Sequence, residues 1–380
     1  MRETFLPLAK PTISEDEINA VTEVAKSGWW TTGPKVAEFE EAFSEYLYED
    51  EKLHTVGLNS CTSALHLALL ALGISEGDEV IVPTWTFAAT AQVVEWVGAT
   101  LVLCDVDKDT FNIDVKKAEQ LITAKTKAMI PVHIAGYPCH MTEIGNLAKK
   151  HDLKIIEDAA HAIGTKYDGH KIGNFSDVTC FSFYATKNLA MGEGGAAVTK
   201  NEKIADEIRK LSYFGIDKSA FSRYEKRGTW FYDIEKLGFK CNLDSFHAAL
   251  GLVQLKKLDQ MNKRRRDIAS RYRAELSSKL TFIEDNNKHY HIYHLFPIQL
   301  PLSLDRDEFM DALKKENIGS SLHFRPLHLH SFYSNRNEET QFPIANKIYN
   351  SVLSLPLFPA MSENDIDDVI KSVNSLLKGC

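Results

Sequence analysis

Between about residues 51 and 199 short apolar segments alternate with helical patterns, and this rhythm restricts the fold more than any other feature of the chain. Candidate strands fall at 53–58, 79–83, 100–105, 128–133, 154–156 and 177–183, an alternation that predicts an α/β unit with a mostly parallel central sheet. A long helix is expected over about 243–276, because Ala248, Leu252, Leu255 and Leu258 form one apolar stripe. Its basic run Lys263-Arg264-Arg265-Arg266 reads as a solvated face rather than a nucleic-acid patch. The remainder suggests a strand at 291–300, a helix at 305–316, a strand at 321–324, and helices near Ala345 and Glu363. The expected divisions are an amino-terminal segment (1–50), a large α/β domain (51–242), a connecting helix (243–280) and a small carboxyl-terminal α+β domain (281–380). No internal repeat is evident.

Composition narrows the class of function. The 380 residues carry a net charge of −8, which argues against a surface built to neutralise nucleic-acid phosphates. Cys61, Cys104, Cys139, Cys180, Cys241 and Cys380 are scattered without metal-ligand spacing, which suits free thiols in a reducing cytoplasm and gives no metal site. The first residues lack a secretory apolar core and no later run approaches bilayer length, so no membrane association is expected.

The chemistry gathers at predicted strand ends. Lys187 follows the strand at 177–183 and precedes Gly192, Gly194 and Gly195, which would let backbone crowd around a ligand. A desolvated lysine there can attack an aldehyde cofactor, although a surface lysine after a strand would read the same way. Asp158 ends the strand beginning at Lys154, and in open α/β sheets ligands collect at that edge. An aspartate opposite a lysine-bound pyridoxal phosphate keeps the pyridine nitrogen protonated. His161 either reaches the ring's phenolic oxygen or caps the following turn. Thr62 and Ser63 open an apolar helix, where unpaired N–H groups favour phosphate; an ordinary N-cap is the alternative.

The ordered blocks WWTTGPKVAEFEEAF, NSCTSALHLAL, GDEVIVPTWTFAATA, IPVHIAG, EDAAHAIG and FSFYATKNLAMGEGG, with GFKCNLDSFHAALGLVQL, SSLHFRPLH and SLPLFPAMSENDIDDVI after them, span nearly the whole chain. Through them the chain resembles the DegT/DnrJ/EryC1/StrS family of nucleotide-sugar aminotransferases, pyridoxal-phosphate enzymes of fold type I, the aspartate-aminotransferase-like class. WTTGP, EDAAHAIG and LHFRPLH look most like enzymes that aminate 4-keto UDP-sugars, among them the transaminase that makes UDP-4-amino-4-deoxy-L-arabinose.

The resemblance implies that Lys187 forms the Schiff base with pyridoxal 5'-phosphate and shuttles the proton, Asp158 pairs with the ring nitrogen, and His161 contacts the 3-hydroxyl side. Thr62, Ser63 and Ser182 would bind phosphate, and Phe87 would stack on the ring; Trp85 competes for that role, and a core aromatic is the bland reading. Lys240 or Asn242 would reach the cofactor of the second subunit in a homodimer, or both are surface residues. Thr32, Gly33, His323 and Arg325 would border the substrate, Arg325 binding donor carboxylate or sugar pyrophosphate unless it makes a structural salt bridge. In this fold type residues 1–50 pack on the small domain or the partner. Amino transfer from L-glutamate to a keto nucleotide-sugar, UDP-linked before dTDP- or GDP-linked, is the implied reaction, serving surface polysaccharide, lipopolysaccharide or glycan synthesis. A sugar dehydratase on this scaffold replaces the anchoring lysine with histidine, and a regulatory protein would need no intact ring-binding set. Cys61 and Tyr184 depart from the family pattern, as does Lys240, whose position often holds asparagine.

Overall fold

The computed structural model describes residues 2–216, 232–283, 285, 288–336 and 338–378. Its centre is a seven-stranded sheet of β1 (His54–Leu58), β2 (Glu79–Pro83), β3 (Thr100–Cys104), β4 (Thr126–Met129), β5 (Lys154–Asp158), β8 (Val178–Ser182) and β9 (Gly195–Thr199). A short hairpin, β6 (Lys166–Tyr167) and β7 (His170–Lys171), lies outside it. The spatial order is β1-β9-β8-β5-β4-β2-β3, and β9 alone runs against its neighbours. This mostly parallel sheet, covered by helices on both faces, is the architecture the alternation predicts.

Period-two patterning divides the core into two layers. In β2, Val80 and Val82 face the helices Cys61–Ala71 and Ala88–Trp96, while Ile81 faces the opposite layer. That second layer includes the helix Pro34–Leu47, whose Phe39 and Phe43 meet Phe183 edge-on at 5.4 Å, Phe43 also meeting Phe181 at 5.2 Å. Pro34 starts this helix because its missing N–H is one that a first turn leaves unbonded anyway. Residues up to 50 therefore divide between two places. Pro34–Leu47 enters the large core, whereas Leu6 bonds to Asn317 and Gly319, and Arg2 pairs with Asp365 and Asp368 on the carboxyl-terminal unit. Glu15–Ser27 carries a Ser14/Glu17 capping box, and Glu17 accepts from Gln254 of the long helix at 2.7 Å.

The long helix spans Ser245–Glu275. Its basic run departs from the solvated face expected: Arg265 is only 3% exposed and donates to the carbonyls of Leu357 (2.8 Å) and His294 (3.4 Å). Arg266 holds the His291 carbonyl and Arg264 that of Met361. Carbonyls left without partners where the two units meet are satisfied by these guanidiniums, a tertiary requirement that charge spacing does not reveal.

The carboxyl-terminal unit has an antiparallel sheet of β10 (Thr281–Phe282), β11 (Phe296–Gln299) and β12 (Val352–Leu355), backed by the helices Arg306–Lys315 and Glu363–Lys378. A mixed cluster joins the units, with Trp85, Phe111 and Tyr137 packed against Leu295, Leu327 and Phe342. Three strand expectations need shortening. Pro131 has no N–H, so β4 ends at Met129. Residues ahead of Phe296 leave the sheet because their backbone turns to the large unit, Tyr290 bridging Lys166 and the Leu295 N–H meeting the Ala135 carbonyl at 3.4 Å. The strand expected at 321–324 is a single bridge, Ser321 to Ser354, after which His323 turns toward the cavity described below.

Candidate active site

The carboxyl ends of β1, β2, β5 and β8 converge on a cavity of about 510 Å³, a size typical of small-ligand sites. Lys187, Asp158, His161, Thr62, Ser182 and Phe87 all line it, as does His323 from the carboxyl-terminal unit. The two groups on which the chemistry turns, an amine and a carboxylate remote in the chain, therefore share one space.

Lys187 follows β8 in the turn leading to β9. Among the described residues its amine has no hydrogen bond or ion pair. Burial pushes its pKa down to about 8, with the Asp158 charge opposing that shift. Desolvation raises the Asp158 carboxyl, whose oxygens are held by the Thr90 hydroxyl (2.7 Å) and the Ala160 N–H (3.1 Å). Thr86 in turn meets Thr90 at 2.9 Å, so the carboxylate is fixed in orientation before any ligand arrives.

The helix Cys61–Ala71 aims its amino end at the cavity, but its N-cap is Ser60, whose hydroxyl accepts from the Ser63 N–H. Thr62 faces the cavity; the Ser63 hydroxyl turns back to Asn59 Oδ1 at 2.7 Å, leaving that residue outside the lining. Gly195 explains how closely this turn approaches the sheet: a Cβ there would lie 2.3 Å from Cys61 N and from Ser60 C. Backbone atoms cannot step aside as a flexible side chain can. Gly195→Ala is therefore expected to lower stability by about 1–3 kcal/mol, read as a reduced urea midpoint with unchanged slope.

Phe87 is 60% exposed at the cavity and lies 5.7 Å from Phe324, whereas Trp85 is 1% exposed inside the inter-unit core. Of the two aromatics only Phe87 is available to stack on a ligand. Arg325 is not among the residues lining the cavity; its guanidinium holds its own loop through the Leu329 carbonyl at 2.7 Å and makes no salt bridge among the described residues. Thr32 donates to the Leu243 carbonyl at 2.6 Å and accepts from Asn242, which also meets Lys240. Gly33 packs beneath Trp29. This group, Thr32, Gly33, Lys240 and Asn242, lies outside the cavity of its own chain. Tyr184 and Cys61, two of the departures from the family pattern, do line it.

Sequence reasoning missed Thr90, Asn188 and His294. A polar pair at Thr86 and Thr90, one helical turn apart beside apolar neighbours, was the available signal for the first; the others had none beyond their residue type. The five described cysteines are free and buried, and Cys380 lies outside the described residues. No described helix is long and apolar enough to cross a membrane.

Burial holds His161 and His294 neutral, their pKa values pushed well below the ordinary histidine range, and pushes His323 down to about 4. The unfolded chain takes up these protons near pH 6.5, before the folded one does. Stability from this source is thus complete above pH 6.5 and falls as pH drops toward 4, by about 1.4 kcal/mol per pH unit for each such histidine. Urea unfolding of the cofactor-free protein should show a lower midpoint at pH 5 than at pH 7.5.

An open, mostly parallel sheet with a cavity-facing lysine and an oriented aspartate lining the same space at its carboxyl edge defines a pyridoxal-phosphate enzyme of fold type I. The chain belongs to the DegT/DnrJ/EryC1/StrS aminotransferase family, whose pattern it matches over residues 11–374. It is 46% identical to the Bacillus subtilis spore coat polysaccharide biosynthesis protein SpsC over 386 residues, covering 100% of this chain and 98% of SpsC. The putative sugar aminotransferase Spr1654 from Streptococcus pneumoniae, in its PMP form, superposes with a TM-score of 0.92 at 34% identity, covering 98% of this chain and 99% of that one. Helicobacter pylori PseC, an aminotransferase involved in the biosynthesis of pseudoaminic acid, gives a TM-score of 0.91 at 27% identity over 99% of this chain and 100% of PseC. The cofactor is pyridoxal phosphate, and the cavity suits it: an amine with no partner among the described residues, a fixed carboxylate and a helix amino end surround one space.

Proposed function

We propose that this aminotransferase moves an amino group from L-glutamate to a keto nucleotide-sugar, a UDP-4-keto sugar before a dTDP- or GDP-linked one, in making amino sugars for surface polysaccharide, lipopolysaccharide or other glycans. The carrying observation is that Lys187 and Asp158 line the same cavity. The names borne by SpsC and PseC support the amino-sugar reading.

Bound here, pyridoxal phosphate supplies an electron sink and a carbonyl carbon that can take up and release an amino group. Lys187 Nζ would hold it and, when freed, would be the base that takes up and returns the proton. Its pKa of about 8 suits both directions, since a usable fraction of the amine is neutral near pH 7. Asp158, held by Thr90 and Ala160, keeps the proton on the ring nitrogen. Thr62, Ser182 and the first N–H groups of Cys61–Ala71 would bind phosphate, Ser63 being taken up by Ser60 and Asn59, while Phe87 would cover one ring face. His323 borders the substrate from the carboxyl-terminal unit.

A homodimer in the cytoplasm completes the reading. Lys240, Asn242, Thr32 and Gly33 stand outside their own cavity and in this reading serve a neighbour's, and Phe87 and Tyr184 leave exposed rings at the mouth that a partner would cover. Sedimentation should show a dimer near twice 42.8 kDa. The substrate is tested by incubating the holoenzyme with L-glutamate and a panel of keto nucleotide-sugars while measuring 2-oxoglutarate. Release that depends on a UDP-4-keto sugar is expected; cofactor-loaded protein that releases none with any sugar would remove the nucleotide-sugar assignment. Removal of a sugar hydroxyl without consumption of glutamate would favour the dehydratase reading.

A further inference from the structure

Two adjacent strands of the large unit end on one helix of the carboxyl-terminal unit, and part of the cavity wall is held from that junction. Asp105 follows β3 and is buried. Its Oδ1 accepts from the N–H groups of Val106 and Ala345, both at 2.9 Å, and its Oδ2 from the Ile344 N–H at 3.1 Å and Lys117 Nζ at 2.6 Å. Ile344 and Ala345 open the helix Pro343–Tyr349, whose own N-cap residue, Phe342, has no side chain that can accept from them. A carboxylate from the other unit thus takes the place of an N-cap side chain.

Thr84 follows β2, the strand paired with β3, and its hydroxyl meets His328 Nδ1 at 2.7 Å. Across the ring, His328 Nε2 faces Asn346 Oδ1 at 2.9 Å on the same short helix, and the ring stacks on Phe342 at 4.3 Å. The Asn346 NH₂ is committed to the Glu339 carbonyl at 2.9 Å, which can only accept. Its oxygen therefore receives Nε2–H, and Nδ1 takes the hydrogen of the Thr84 hydroxyl. Both Thr84 and His328 are buried, so water does not compete for these bonds.

From the junction the chain runs to the cavity in two directions. The helix leads into β12, where Ser354 bridges Ser321 and its Oγ meets His323 Nδ1 at 3.1 Å. In the other direction Phe324 lies just ahead of Pro326, Leu327 and His328, with the Leu327 N–H on the Thr84 carbonyl at 2.8 Å. His323 and Phe324 line the cavity and are tied from both sides, Phe324 lying 5.7 Å from Phe87 and 5.9 Å from His161. Lys187, Asp158, Thr62 and Ser182 all come from the large unit and need no part of this junction.

Resting on the aminotransferase reading above, we propose that Asp105 and His328 are positioning residues for substrate: they fix His323 and Phe324 over a cofactor site that the large unit builds by itself. Loosening the junction then weakens substrate binding while cofactor attachment and proton transfer persist.

Three variants test this. Asp105→Asn keeps the volume but turns an NH₂ toward a site where all four partners are donors. His328→Phe keeps the stack on Phe342 and removes both ring hydrogen bonds, and it carries the test if Asp105→Asn does not fold. Lys117→Met removes the one Asp105 partner whose loss leaves the contacts between units in place. In Asp105→Asn and His328→Phe, KM for the accepted keto nucleotide-sugar should rise about tenfold, with kcat within about threefold of wild type and the borohydride-trapped adduct on Lys187 undiminished. The His323 ring, pushed down to about 4 by burial and by Lys187, should titrate closer to the ordinary value of about 6.5 in both. Histidine-ring NMR at pH 5.5, with His323→Gln to assign the signal, reads this directly: neutral in wild type, partly protonated in the variants. Lys117→Met should lower the urea midpoint yet leave KM and the His323 signal unchanged. An unaltered KM and His323 signal in folded Asp105→Asn or His328→Phe overturns the proposal, as does an equal KM rise in Lys117→Met, which would tie the effect to lost stability. Wild-type protein that forms no adduct or accepts no keto nucleotide-sugar would instead count against the function read above, and the His323 titration still decides the role of the junction.

Discussion

Lys187→Ala is expected to lower amino transfer by roughly a thousandfold or more and to abolish the covalent adduct obtained when pyridoxal phosphate is trapped with borohydride. Two functions vanish together, since one nitrogen both anchors the cofactor and moves the proton. The amine is available for them because burial lowers its pKa to about 8 and no described residue holds it in an ion pair. Stability should be little affected or slightly increased, because the substitution removes a desolvated ammonium from the cavity. Peptide mapping of the trapped wild-type protein should place the label on Lys187. A variant that kept the wild-type rate, or a label found on another lysine, would refute this assignment.

Asp158→Asn should reduce the rate by about 10²–10³ while preserving the fold. The amide has nearly the same shape; with its oxygen on the Ala160 N–H, its NH₂ can donate to the Thr90 hydroxyl, which is able to accept, so the neighbouring contacts survive. It cannot supply the negative charge that keeps a proton on the pyridine nitrogen, and the ring becomes a weaker electron sink. Asp158 also helps hold up the Lys187 pKa, so the variant's amine should titrate lower. The signature that separates this role from general damage is a lowered pH midpoint for adduct formation together with slow proton removal and an unchanged urea midpoint. An unaltered rate would mean that the carboxylate has no part in the chemistry.

Much of the large unit was legible beforehand because its strands are buried on both faces and bounded by turns. β2 matches the expected 79–83, and β1 and β8 differ from expectation only at their ends. Lys187 and Asp158 could be read as well, since a strand followed by a turn delivers its next residues to one edge of a parallel sheet. The carboxyl-terminal unit was less legible. The run ahead of Phe296 has alternating apolar residues, yet its histidines find partners on the large unit instead of in a sheet. Similarly, the basic run on the long helix looked solvated by composition, although Arg265 spends its hydrogen bonds on carbonyls brought up from Leu357 and His294.

Hydrophobic periodicity and turn chemistry, both local properties of the chain, thus determined the layered α/β framework and the edge of the sheet where reactive side chains emerge. Tertiary structure decided which polar groups meet across it: that Phe87 rather than Trp85 faces the cavity, that Arg325 turns away, and that Thr90 orients Asp158. The burial of Trp85 and the orientation of Asp158 depend on partners far away in sequence, and a contact of that kind leaves no period in the residues that make it.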